Sequence, residues 1–311
     1  MPVSTVSSTA PVFEVLTQDG IEEIHRTTMR VLQEIGIDFF HGEALDLFRG
    51  AGASVDGDRV RIPERLVSEA LQEAPSSVMF YTRDGEPAML LEGYEVHFGT
   101  YGTAPFFYDP YTGESKQSTR QSIANAAKVC DYLPHIEWSM PMGVPSDVPI
   151  PMADRHQFHQ AIINQRKPLY SSAYTAAGMA DVVEMAAVIA GGKAALRQRP
   201  YFTTGIDPSS PFRYGEEVLG KLLVMAEAGL PVILNPMPMS GGLTPTTMAS
   251  TIVVALAEDL AGLTLAQLKN PGVPVIMGGV LTTMDMGTTV CTYGAPELTL
   301  MMAGITQMCR F

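Results

Sequence analysis

The sequence predicts an α/β chain that forms part of a (β/α)8 TIM barrel, with about five βα units behind an N-terminal α+β segment, and three observations carry that prediction. Apolar, strand-like runs begin at Ile136, Pro168, Tyr201, Pro231 and Val273, so their starts are 32, 33, 30 and 42 residues apart. Helix-like stretches fill the intervals between them. Each run also gives way at its C-terminal end to polar or conformationally special residues: "PSDVP", "SSAYT", "GIDPSSP", "NPMPMSGG" and "TTMDMG". Strands alternating with helices at this period make successive βα units and a parallel sheet, either doubly wound or closed into a barrel. No GxGxxG follows the first strand, which favours the barrel. In both architectures the polar strand ends share one face, where such folds build their sites. A closed barrel needs eight units, so on this reading three follow Phe311.

The elements follow in chain order. "MPVSTVSSTAPVFEVLTQDG" has neither the basic start nor the continuous apolar run of a signal peptide, and reads as an arm packed on the body. "DGIEEIHRTTMRVLQEIG" predicts a helix ending at Gly36, and "PERLVSEALQEAP" a shorter one opening on Pro63. "SSVMFYTRD" and "YEVHFGTYG" read as strands. "FFYDPYTGESKQ" reads as a tight reversal, because Asp-Pro and Thr-Gly supply the fixed and positive φ values a turn needs. These elements form the N-terminal α+β segment, residues 1–117, and the barrel pattern occupies residues 118–311.

Within the barrel part the strands are "IEWSMPMGV", "PLYSSAY", "YFTTGI", "PVILNPMPM" and "VPVIMGGVL". The helices are "DRHQFHQAIINQ", "MADVVEMAAVIAGG", "GEEVLGKLLVMAEAG" and the run from Thr246 to Lys269, with glycines at or beyond several ends. "ASTIVVALAEDLAGLTLAQL" is long and apolar, but Glu258 and Asp259 at its centre are too costly for a membrane span, so it is read as a buried helix. In "APELTLMMAGITQMCRF" Leu298, Met301, Met302, Ile305 and Met308 recur at helical spacing with no stop signal after them. This is the helix after the fifth strand, and its apolar face expects a sixth strand. The expectation is therefore a C-terminally truncated barrel that leaves this face and a sheet edge open, and that aggregates or is inactive when expressed alone.

At 311 residues and 46% hydrophobic content the chain can bury a large core. Its formal charge of −13, with only 17% charged residues, disfavours nucleic acid and anionic membranes as partners, since both are held by Lys and Arg clusters. A small molecule or a protein is the expected partner, and a homo-oligomer is left open. The three cysteines, Cys130, Cys291 and Cys309, are far apart and odd in number, which makes neither a disulfide framework nor a CxxC metal site and points to a reducing cytoplasm.

Signatures of familiar catalysis are missing: the chain has no GxSxG elbow, no HExxH and no phosphate-binding GxxxxGK[ST]. His156 and His159 with Asp154 have metal-ligand spacing, but on an outer helix, so no metal site is expected. Asp207, Ser209 and Ser210 lie in a Ser-Pro loop that reads as a turn rather than a triad. A Schiff-base lyase or aldolase would need a lysine at a strand end, and Lys167 stands at the wrong end of its strand. The aromatic residues Tyr101, Phe106, Phe107, Tyr108 and Tyr174 border the strand ends, where they serve either as core packing or as walls that hold a quaternary ammonium by cation–π attraction. The nineteen methionines read as core fillers or as the lining of an adaptable apolar pocket.

Several stretches together resemble the trimethylamine:corrinoid methyltransferase family, which includes quaternary-amine enzymes of glycine betaine type. They are "GTYGTAPFFYDPYTGESKQST" with "SIANAAKVCDYLPHIEW", then "NQRKPLYSSAY", "EMAAVIAGGKAALRQRP", "PSSPF", "PMSGGLTPTTMAS", "AEDLAGLTLAQLKNPGVPVIMGG" and "DMGTTVCTYGAPE". Order and spacing are kept from residue 20 to residue 311. The resemblance implies a TIM-barrel enzyme of one-carbon metabolism, methanogenesis included, that moves a methyl group from a methylated amine to the Co(I) of a corrinoid (cobalamin) carried by a partner protein, with no cofactor bound permanently. Co(I) is itself a strong nucleophile, so such a protein needs no triad; it holds the N–CH3 bond in line and stabilises the cation beside it. Trimethylamine members look like pyrrolysine enzymes, with that residue on a strand after the region present here, and betaine-type members lack it. Trimethylamine and a betaine therefore both remain open as substrate.

The substrate-binding residues expected on this basis are Tyr101, Phe106 and Tyr174 as cage aromatics, with Asp207, Asn235 and Asp285 at the third, fourth and fifth strand ends orienting substrate or meeting the corrinoid edge. Gly278 and Gly279 are expected to let the corrinoid approach the backbone, or to serve strand-to-loop geometry. No catalytic residue is assigned. The alternative class is a binder of quaternary amines or of a corrinoid protein without catalysis.

Overall fold

The computed structural model describes residues 12–171 and 173–311 and opens on α1 (Gln18–Arg30), whose first turn Thr17 caps by accepting the Gly20 N–H at 3.2 Å. A π-helical turn, Val31–Ile35, stops at Gly36, where φ is +80° and the carbonyl of Val60 occupies the space a side chain would need. Then come β1 (Ile37–Phe39), α2 (Gly42–Gly50), β2 (Ser54–Asp56), β3 (Arg59–Arg61) and α3 (Glu64–Glu73), the last starting after Pro63 as its sequence implies. β3 pairs antiparallel with both β1 and β2.

β4 (Val78–Tyr81) and β5 (Pro87–Leu91) form an antiparallel hairpin with Val78 opposite Leu91. The second strand was expected at "YEVHFGTYG"; instead residues 94–98 are irregular and Gly99 alone bridges to Trp138. The nearer run "PAMLL" closes on β4 across a short turn, in which Thr82 N–H donates to the carbonyl of Glu86 at 2.7 Å, and the shorter loop takes the pairing. β6 (Phe106–Tyr108) and β7 (Ser115–Gln117) flank the expected reversal. Its turn is held by Asp109, which accepts the N–H groups of Tyr111 at 2.9 Å and Thr112 at 3.1 Å and pairs with Lys116 at 2.7 Å.

α4 (Arg120–Tyr132) begins on a Thr119–Ser122 capping box and leads to α5 (Ala153–Asn164), β8 (Leu169–Ser171), α6 (Ala176–Ala190), α7 (Lys193–Gln198) and β9 (Phe202–Ile206). β8 and β9 run parallel, Leu169 opposite Phe202 and Ser171 opposite Thr204. The strand expected at "IEWSMPMGV" shrinks to single parallel bridges at Trp138 and Ser139, because Pro141 has no N–H to continue the ladder.

The chain continues through β10 (Arg213–Tyr214), α8 (Glu216–Ala228), β11 (Val232–Leu234), β12 (Met239–Ser240), α9 (Met248–Lys269), β13 (Val275–Ile276), β14 (Thr282–Thr283) and α10 (Pro296–Arg310). Three further pairs are parallel: β1 with β10, β11 with β13, and β12 with β14. The fold is thus mixed α/β. Its residues gather into two compact units, one of Ser76–Gly205 with Ala228–Pro231, the other of residues 12–75 with Ile206–Glu227 and Val232–Phe311. The change of sequence pattern at residue 118 is not where these units divide, since β1 finds its parallel partner in β10 and the first helices join the last ones in one unit.

That second unit is built around α9, which packs on α1, α2, α3 and α10. Its apolar residues, among them Ile252, Ala255, Leu256, Leu260 and Leu263, are buried, each large aliphatic side chain contributing about 1.5–3 kcal/mol of transfer free energy. Among the described helices α9 alone has the length and hydropathy of a membrane span, and 83% of that stretch is buried inside the protein, in keeping with its reading as a core helix.

The apolar face of α10 was expected to be exposed, and the structure corrects this. Met301, Gly304, Ile305 and Met308 are buried, while Leu298 and Met302 of the same face are half-buried. Gly304 lets Ile252 of α9 come so close that a Cβ would lie 2.7 Å from its terminal carbon, and the Gln307 side-chain oxygen accepts the N–H groups of Val15 at 2.7 Å and Leu16 at 2.9 Å. Neighbouring helices and the residues before α1 pack on this face. The arm expected at the N-terminus is seen here only from residue 12, and residues 1–11 lie outside the described residues.

Candidate functional site

Among the expected polar residues, the structure joins two. Asn235, just after β11, donates its backbone N–H to the carbonyl of Ile206 at 3.1 Å and its side-chain N–H to Asp207 at 2.9 Å, so two strand ends present one carboxylate–amide pair. Asp207 is exposed and Asn235 half-buried, which leaves the pair open to a ligand. Asp285 is not joined to them by any hydrogen bond. It folds its own turn, accepting the Gly287 N–H at 2.8 Å and the Thr288 hydroxyl at 2.9 Å, and these bonds hold its carboxyl below its ordinary pKa.

The two glycines separate. Gly279 has φ of +133°, and a Cβ there would meet the carbonyl oxygen of Pro236 at 2.5 Å, so its backbone geometry already requires glycine. Gly278 has open space where a Cβ would stand, and its N–H is donated to Asp259 at 3.2 Å.

The expected aromatics lie in the other unit. Tyr101, 65% exposed, meets Tyr170 of β8 edge-on at 6.0 Å, and Tyr170 in turn meets Trp138 at 6.4 Å. The local reason is Gly99, whose lack of a side chain lets the indole of Trp138 lie against the backbone. Tyr170 and Trp138 are thus aromatic partners that the sequence reading missed, although Trp138 is the sole tryptophan of the chain. Tyr174 is fixed at both ends: its N–H is donated to Asp154 at 3.0 Å and its hydroxyl to Gln157 at 3.3 Å, while burial lifts its phenol above the ordinary value. Phe106 stands on the exposed β6–β7 hairpin opposite Gln117, with no ring partner among the described residues.

Asp154 does not share a face with the histidines. It is buried and bound to Arg155 and to the N–H of Tyr174, His156 is half-buried and His159 is exposed. Among the described residues no group of three or more His, Cys, Asp or Glu side chains is arranged to hold a metal ion. Lys167 donates to the carbonyls of Cys130 at 2.8 Å and Leu133 at 2.6 Å, closing the C-terminus of α4, and burial lowers its pKa. The Ser-Pro loop is a turn, as read: Ser209 N–H donates to the carbonyl of Arg213 at 2.7 Å.

The sequence reading used Glu258 and Asp259 only to argue against a membrane span. Both are fully buried on α9, with no ion-pair partner among the described residues. Burial raises Glu258 to about 7 against the opposing pull of its bonds from Phe212 N–H and the Ser210 hydroxyl. Burial, then repulsion from Glu258, pushes Asp259 well above its ordinary value. Two adjacent acids in an otherwise apolar helix were the available signal.

The geometry can now be set beside known proteins. The chain is 34% identical to a glycine betaine methyltransferase of Desulfitobacterium hafniense (strain Y51), over 97% of this chain and 63% of that protein. It is 33% identical to trimethylamine methyltransferase MttB of Desulfitobacterium hafniense (strain DSM 10664 / DCB-2), over 95% of this chain and 60% of the relative. It thus spans about three-fifths of the length of these curated relatives. Its fold resembles the crystal structure of the hydroxylamine complex of MtmB, with a TM-score of 0.61 over 97% of this chain and 61% of that one at 12% identity. A second likeness, to the Methanosarcina barkeri monomethylamine methyltransferase MtmB, has a TM-score of 0.59 over 95% of this chain and 60% of that one at 10% identity. The family described as trimethylamine methyltransferase (MTTB) matches residues 1–311, and the chain belongs to that family.

Proposed function

We propose that this chain is part of a methyltransferase that moves a methyl group from a methylated amine, either trimethylamine or a quaternary amine of glycine betaine type, to the corrinoid of a partner protein. The observation that carries this reading is the family match over the whole chain. The parallel strand pairs, with the Asp207–Asn235 pair at the ends of two strands, support reading residues 118–311 as part of a (β/α)8 barrel. The burial of α9 inside the protein supports reading the enzyme as cytoplasmic.

Gly278 fits the close approach of a large planar ring, since its α-carbon faces open space; Gly279 does not serve that role, because its lack of a side chain is used against Pro236. The corrinoid, when bound on its partner, would supply the nucleophile; a quaternary ammonium would give up its methyl and depart as a neutral amine, and trimethylamine would do so only from a protonated or adduct form. The chain's part is to hold the cation. Tyr101, exposed and set against Tyr170, which in turn meets Trp138, offers a ring to a quaternary ammonium, and Tyr174 and Phe106 offer further ones. Asp207, oriented by Asn235, supplies negative charge for orienting substrate or meeting the corrinoid edge. Asp285 is proposed for the same use only through its turn.

Incubating the chain with reduced corrinoid and a panel of methylated amines, with amine products followed by NMR, tests the reading. Corrinoid-dependent formation of dimethylamine or dimethylglycine is expected. A folded chain that consumes no methylated amine and binds none in calorimetry overturns it.

A further inference from the structure

Glu258 and Asp259 stand next to each other on α9, and each reaches a different loop at a strand end. Glu258 accepts the Ser210 hydroxyl and the Phe212 N–H, each at 2.7 Å, through its two carboxyl oxygens, and its backbone carbonyl accepts the Tyr214 hydroxyl at 2.9 Å. These three links fasten the loop that leaves β9. The loop closes on itself through the Ser209–Arg213 bond, and Asp207 at its start holds Asn235. Asp259 takes the Gly278 N–H with one oxygen, while the other, fully buried, has no hydrogen-bond partner among the described residues.

Packing alone does not call for this. The side chains of α9 buried next to the pair, Leu256, Ala257, Leu260 and Ala261, are apolar, and among the described residues no cation pairs with the two carboxyls taken out of water. Among the described residues, the titratable groups that feel their charge, Tyr214 from β10 and Cys309 from α10, are themselves acids. What the carboxyls do provide is acceptors for main-chain groups that no helix or strand supplies.

We infer that Glu258 and Asp259 are positioning residues, Glu258 setting the 207–214 loop and with it the Asp207–Asn235 pair, Asp259 setting the segment around Gly278. The inference takes its functional meaning from the proposed methyl transfer. Burial keeps both groups biased toward the protonated form, which spares the helix a full charge while one oxygen still accepts from the loop.

The test compares the wild-type chain with Glu258→Ala, Glu258→Gln, Asp259→Ala and Ser210→Ala by amide hydrogen exchange and by methyl-transfer kinetics. In Glu258→Ala, exchange at residues 208–214 is expected to rise at least tenfold with Gly278 unchanged, and in Asp259→Ala the reverse. Glu258→Gln accepts from Phe212 and donates to Ser210, so its exchange and its KM should return to wild type, whereas Glu258→Ala raises KM for the amine about tenfold with kcat within threefold. Ser210→Ala removes one link from the loop side without touching the core, and should raise exchange in that loop alone; with Glu258→Gln it decides the matter if Glu258→Ala does not fold. A rise spread over α9 and both loops together, a Gln variant as impaired as Ala, or loops that do not respond would overturn the inference. Should the wild-type chain consume no methylated amine, the reaction reading falls and the exchange pattern still judges the positioning role.

Discussion

The two units carry their candidate chemistry in opposite ways. In one, the residues are exposed rings, Tyr101, Phe106 and Tyr174, and among the described residues only Tyr101 meets another ring, that of the buried Tyr170. In the other, the polar pair Asp207–Asn235 and the segment at Gly278 are fastened from behind by buried acids on a core helix. A ring grips a cation through its face wherever side-chain packing puts it, so its placement tolerates small shifts. A main-chain loop has no such tolerance, and here it is fixed by hydrogen bonds inside the core, where each lost partner leaves a group unsatisfied.

The sharpest way to break this contrast is Gly279→Ala. With φ at +133° and Pro236 O at 2.5 Å from any Cβ, strain and overpacking together should cost about 4 kcal/mol of stability, read from the shift in urea midpoint. A shift near zero would mean that these loops are as forgiving as the rings.

The second effect is a pH dependence. Glu258 is raised from 4.5 to about 7 in the folded chain, so between those values the folded state binds more protons than the unfolded one. Its stabilising contribution is therefore complete below pH 4.5 and is lost as pH rises through 7, a fall of about 3 kcal/mol that Glu258→Gln should remove from denaturation curves at pH 5 and pH 8.

On the aromatic side, Tyr174→Ala should weaken quaternary-amine binding by about 1–2 kcal/mol in calorimetry while Tyr174→Phe keeps most of it, and unchanged affinity in both would remove Tyr174 from the cage. The smallest effect belongs to the β6–β7 turn. The Lys116 ammonium and the N–H groups of Tyr111 and Thr112 hold Asp109 down at about 2, so the stabilisation is present above its ordinary 3.8 and disappears as pH falls through 2. Amide protection at Tyr111 and Thr112 should accordingly survive at pH 4 and be lost near pH 2.

The helices and the parallel strands from Pro168 onward were legible in the sequence because their apolar runs are long and bounded by Gly and Pro, as at Gly36, Pro63 and Gly191. The N-terminal strands were less so. "YEVHFGTYG" alternates like a strand, yet pairing is a tertiary matter, and β5 lay nearer to β4. α10 shows the same limit from the other side: its face was plain, but nothing local announced that Ile252 and residues 15–16 would cover it. At the candidate site, single residues such as Asp207 and Tyr174 were readable as strand-end polarity. What supports the site residues was not, since Tyr170 meets Tyr101 and Trp138 meets Tyr170 from distant stretches of chain, and Glu258 lies 48 positions from Ser210.

Gln307 adds a matter of timing. Its single side-chain oxygen receives two main-chain N–H groups, of Val15 and Leu16, across separations of 292 and 291 residues. A ribosome adding roughly 5–20 residues per second makes Gln307 about 15–60 s after Leu16. Through that interval the segment before α1 has no access to its final partner, and the clasp cannot form until Gln307 has been made. A chaperone acting on residues 15–16 during synthesis would thus delay the seating of α10, 291 residues further along the chain.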